Sequence, residues 1–70
     1  SQHFFNKDTC AFYARSIKVH DEIVQSAQKQ RDAFISSVDI KKAEAVGRAQ
    51  APHIDQLAKL ATIYNAFCKP

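Results

Sequence analysis

The sequence predicts an all-α fold: an antiparallel helical hairpin or a compact three-helix bundle, with helices over about 9–36, 38–50 and 52–68. A Cys10–Cys68 disulfide is expected to join its ends. Three observations carry this. The chain has one glycine, two prolines and no Asn-Gly, Asp-Gly or Gly-Gly turn pair, so it lacks the turn chemistry of a sheet protein. Its apolar residues recur at helical spacing on one side of long segments. Its two cysteines stand at opposite ends and bracket nearly every residue that can be helical.

Residues 1–7 form a short lead-in to one small domain spanning 1–70. Phe4 and Phe5 are too apolar for a solvated tail and are expected to fold back. Asn6 or Asp8 can cap the first helix by accepting a backbone N–H. With Asn6 as cap, Phe5 and Cys10 stand at hydrophobic-staple spacing, which puts Cys10 in the first turn.

The first helix collects Cys10, Tyr13, Ile17, Ile23, Val24, Ala27, Phe34, Ile35 and Val38 on one apolar arc, with Phe12 and Val19 at its edge. Arg15, Lys18, Asp21, Glu22, Gln25, Lys29 and Asp32 fall opposite. A helix of this length measures about 40 Å. Ser36-Ser37-Val38-Asp39 reads as a turn in which a serine caps the next helix and Asp39 follows in its first turn.

Ile40, Ala43, Val46 and Gly47 form the apolar side of the second helical run, and Glu44 and Arg48 stand at ion-pair spacing. At Pro52 the missing N–H and the ring's clash with the preceding turn predict a break or a kink. Beyond it, Ile54, Leu57, Leu60, Ala61, Tyr64, Phe67 and Cys68 share a face, and Asp55 and Lys59 are spaced to pair. Lys69 suits the negative helix end.

With the turn near Ser37, residues whose numbers sum to roughly 77 face each other across the hairpin. Cys10 then meets Cys68, Ile17 meets Leu60 or Ala61, and Val24 meets Ile54. Seventy residues bury little core, so a covalent staple or a second subunit is expected. Two cysteines without a metal-like cluster fit an oxidising compartment. The start at Ser1, without Met, suggests a cleaved precursor or a trimmed chain. The expected location is periplasmic or extracellular.

His20 and Arg31 fall within the apolar arc, and His53 takes a similar place further on. A polar group there must be paired or face something outside the monomer. The plainer expectation is that their stems cover apolar surface while their heads reach solvent. The other is a polar contact in a binding or dimer seam. His20 and His53 read as more than a turn out of register. The spacings of known zinc motifs are missing, so no metal or other cofactor is expected.

No nucleophile–base pattern or phosphate-binding glycine loop is present, and the protein is not expected to be an enzyme. The net charge of +3 comes from interspersed signs, a pattern of solvated helix faces, so no nucleic acid is expected as a partner. No stretch reaches the roughly 18 apolar residues of a membrane span. The expected function is binding of another protein, as an inhibitor, an immunity or exclusion factor, or a secreted effector. Phe4, Phe5, Phe12, His20 and Arg31 are the candidate interface. The alternatives are a structural subunit that self-associates through its apolar stripe, with a homodimer its simplest form, and a cytosolic helical module that binds nucleic acid.

Overall fold

The computed structural model describes residues 3–69. Two long helices, α1 (Lys7–Ser36) and α2 (Ile40–Phe67), pack against each other as an antiparallel hairpin. The molecule is a rod of 54 × 16 × 14 Å. The three-helix alternative does not form, because α2 passes through Pro52 without a break. A proline in a helix interior costs about 3 kcal/mol. The seam on both sides of Pro52 carries the helix across it, since Gln50 and His53 both bond to α1.

Each helix end has its own explanation. Asn6 caps α1, its side chain accepting the Thr9 N–H at 2.8 Å, and Asp8 lies in the first turn. At the other end, the Asp39 N–H reaches Phe34 O at 2.7 Å and the Val38 N–H reaches Ile35 O at 3.0 Å. These two bonds define a Schellman turn, which needs a left-handed residue between cap and exit. Val38 occupies that position at φ 60°, where a β-branched residue is strained. It is therefore a turn residue, 80% exposed, and not part of the apolar arc. Neither serine caps α2. Asp39 does, accepting the Lys42 N–H at 3.3 Å, because the Schellman turn delivers the chain to Asp39 rather than to Ser36 or Ser37.

The seam follows a strict alternation of three and four residues. On α1 it runs Cys10, Tyr13, Ile17, His20, Val24, Ala27, Arg31, Phe34. On α2 it runs Ala43, Val46, Gln50, His53, Leu57, Leu60, Tyr64, Phe67. This is the heptad pattern of helices that pack side by side. The seam is thin. Ala43, Gln50 and Leu60 are buried, while the α1 positions are only half-buried, because two helices cover each other on one side alone. Ile23, Ile35, Ile40 and Ile54, which the sequence places on apolar faces, lie exposed beside the seam.

The open end is closed twice. Cys10 and Cys68 form a disulfide with their Cα atoms 5.6 Å apart. The Phe5 N–H donates to Phe67 O at 3.0 Å, giving one of the last carbonyls of α2 a partner. Neither Glu44 and Arg48 nor Asp55 and Lys59 close to an ion pair. Among the described residues the one pair within 4.0 Å is Lys42–Asp39. Exposed pairs gain too little to hold two long side chains in place.

Candidate functional site

Three groups of side chains stand along the rod, and the structure distributes the sequence's candidate residues among them.

At the stapled end, the ring of Phe5 stacks between Phe67 and Tyr13, with centroids 4.8 and 5.7 Å away. Phe12 meets the edge of Tyr13 at 5.8 Å. The cluster covers the disulfide end with aromatic surface and holds the lead-in against both helices. Phe4 remains 45% exposed and Phe12 56% exposed. Lys69 lies over the ring of Tyr64, its Nζ 5.9 Å from the centroid.

In the middle of the rod, His20 and His53 meet across the seam with their Nδ1 atoms 2.9 Å apart. The sequence register set them more than a turn out of reach. The offset is real, but one turn is about 5.4 Å, and two imidazole side chains span it. The ring centroids are 5.1 Å apart, so the two nitrogens point at each other. One ring donates its Nδ1–H and the other accepts, so a single proton lies between them. This geometry is a hydrogen bond. No group of three or more His, Cys, Asp or Glu among the described residues could hold a metal ion.

Nearer the turn, Arg31 donates Nη1–H to Gln50 Oε1 at 2.9 Å. Gln50 is 2% exposed and uses its amide fully, donating Nε2–H to Val24 O at 3.1 Å and to Gln28 Oε1 at 3.3 Å. Gly47 lies beneath this contact. A Cβ at that position would stand 3.4 Å from Arg31 Nε and 3.6 Å from its Cζ, so the guanidinium lies along the bare backbone of α2. The buried Nε itself has no hydrogen-bond partner. His20 and Arg31 thus pair inside the hairpin, and the expectation that their heads reach solvent is corrected. The α1–α2 seam offers each a polar partner of matching length.

The remaining feature is a groove along one side of the seam. Val19 and Ile23 line it from α1 and Val46, Ala49 and His53 from α2, and a second concavity lined by Phe12, Arg15, Ser16 and His20 adjoins it at Val19. Val19 is 53% and Ile23 37% exposed. Arg15 and Glu22 are the charged residues on its rim. Sequence reading found Phe12 alone among these as an interface residue. The signal it did not use is that Phe12, Ser16, Val19, Ile23 and Ser26 repeat the same three–four spacing one residue before the seam positions. That spacing makes a second face, approximately a quarter-turn from the first.

No protein-family model, curated protein or solved structure matches this chain. No helix among the described residues is long and apolar enough to cross a membrane.

Proposed function

We propose that this chain is a small exported protein that acts by binding another protein, in the manner of an inhibitor, an immunity or exclusion factor, or a secreted effector. The observation that carries the reading is the inverted balance of apolar side chains. Among the described residues ten large hydrophobic side chains are exposed, while Leu60 is the one that is buried. Single exposed hydrophobic residues are ordinary, but a contiguous row such as Phe12, Val19 and Ile23 is the usual mark of a contact surface. The disulfide supports both parts of the proposal. It fits an oxidising compartment, and it holds the row rigid, which lowers the entropy lost on binding. Phe12 carries the row toward the stapled end, where Phe4 is a second exposed aromatic side chain.

The test is capture from the exported fraction of the natural host by the oxidised chain carrying a photo-crosslinker at Ser16. A discrete adduct with a protein other than this chain is expected, competed away by unlabelled protein and lost in the Phe4→Ala, Phe12→Ala double variant. Labelling that neither competition nor the double variant reduces sinks the reading.

A further inference from the structure

The shape of the hairpin and the charges beside the groove bear on what occupies it. A folded monomer of 7.9 kDa is expected to expose about 4,400 Å². This chain exposes 5308 Å². The excess is about 900 Å², close to the roughly 800 Å² that each partner contributes to a standard protein interface. The radius of gyration agrees: 15.8 Å, against about 11 Å for a compact chain of this length. The rod of two helices therefore leaves open about as much extra surface as one partner contributes to such an interface.

We infer that a second copy of the chain covers that surface. Two hairpins meet through the face carrying Phe12, Val19, Ile23 and Ala49, and their helices form a four-helix bundle. The inference rests on the reading of the groove as a protein-contact surface and names its occupant. Paired hairpins with short loops are a standard route to such a bundle. The interface is isologous, so each residue must meet a complementary residue of the same sequence. The rim satisfies this. A two-fold axis passing near Val19 with the α1 helices antiparallel sets Arg15 of one copy opposite Glu22 of the other. The same axis brings Val19 of both copies to the centre, with Ile23 and Phe12 to either side. The half-buried seam positions Ala27 and Val46, which line the floor of the groove, are covered at the same time. Phe4, at the stapled end, lies beyond the central seam and remains available to a different protein.

The opposite side of the hairpin supplies the control. There Ile54 is exposed beside Glu44, Gly47 and Ala51, so it resembles Val19 in exposure but lies on the other face. The experiment is sedimentation equilibrium of the oxidised chain and of Val19→Glu and Ile54→Glu, over a series reaching about 100 µM, where a standard-size interface is assembled. The wild type is expected at twice the 7.9 kDa chain mass. Val19→Glu is expected as a monomer, its dissociation constant raised by roughly 100-fold or more, since the axis buries both glutamates together. Ile54→Glu is expected to remain a dimer. Equal helicity by circular dichroism shows that each variant is folded, which exposed positions favour. A monomeric wild type, any stoichiometry other than two, or dissociation by Ile54→Glu in place of Val19→Glu overturns the inference. A monomeric wild type leaves the binding of other proteins to the capture experiment, which reports on it separately.

Discussion

The guanidinium of Arg31 crosses the seam to Gln50, lying over the one glycine in the chain as it does so. Arg31 and Gln50 depend on each other as partners. Gln50 Oε1 accepts from the guanidinium at 2.9 Å, and Gly47 adds a flat stretch of α2 backbone beneath it.

Replacing Gln50 with Leu removes the acceptor and leaves a half-buried cation facing apolar surface. Stability is expected to fall by about 2–3 kcal/mol in chemical denaturation. The Arg31→Leu, Gln50→Leu double variant is expected to regain most of that loss, because an apolar pair of similar volume needs no partners. Equal or greater loss in the double variant would show that the packing of the side chains, rather than their pairing, matters here.

His20 and His53 obey the same logic with one proton between them. His53→Leu leaves a half-buried imidazole nitrogen without its partner and is expected to cost about 1–3 kcal/mol. His20→Leu is expected to cost a similar amount. The double variant should be more stable than the sum of the two predicts, by about 1 kcal/mol in a double-mutant cycle. Additive losses would mean that the contact contributes nothing.

Val38 holds a left-handed backbone that glycine adopts freely. Its side chain is exposed and gives up little when removed. Val38→Gly is therefore expected to raise stability by about 1 kcal/mol, read as a higher denaturant midpoint with an unchanged slope. Val38→Ala, which keeps the Cβ, should recover much less.

Pro52 offers a second stabilising change. Within α2 it removes a backbone donor without forming a boundary. Pro52→Ala is expected to add about 1–3 kcal/mol. A loss of stability instead would show that the proline shapes α2 to fit the seam.

The Cys10–Cys68 bond closes a loop of 58 residues by sequence separation. In the chain-entropy model such a closure stabilises by about 4 kcal/mol, and Cys10→Ser with Cys68→Ser is expected to lose about that much. The melting temperature of the reduced wild type should match that of the double variant. A melting temperature unchanged by either treatment would show that the seam alone carries the fold.

Much of this architecture is legible in the sequence, for physical reasons that differ by element. The disulfide and the turn position constrain each other, so the register near Ile17 and Leu60 follows from counting. Asn6 is a strong cap three residues from the N–H it accepts, and local chemistry of that kind survives folding. The turn itself is less legible. Local propensity gives valine at φ 60° a penalty, and only the pull of two packed helices makes Val38 accept it. Pro52 misleads in the same direction, because its cost is visible in the sequence and the seam that offsets it is not. Gln50 is the least legible residue. An amide gives no hydrophobic signal, and its burial is explained by Arg31, nineteen residues away in the chain. The groove of Phe12, Val19 and Ile23 lies between these cases. Its spacing was present to be read, but a second face has meaning only once the first has been assigned to α2.

The staple also determines how the molecule bears force. Tension applied to the two ends passes from Cys10 to Cys68 through sulfur, across Cα atoms 5.6 Å apart. The helices between them carry none of it. An oxidised chain drawn by one end toward a narrow pore presents a doubled strand at the bridge, and the load falls on a covalent bond instead of on the seam. Pulling unfolds this hairpin only after a reductant has opened it, so chemistry rather than mechanics governs whether the chain can be threaded.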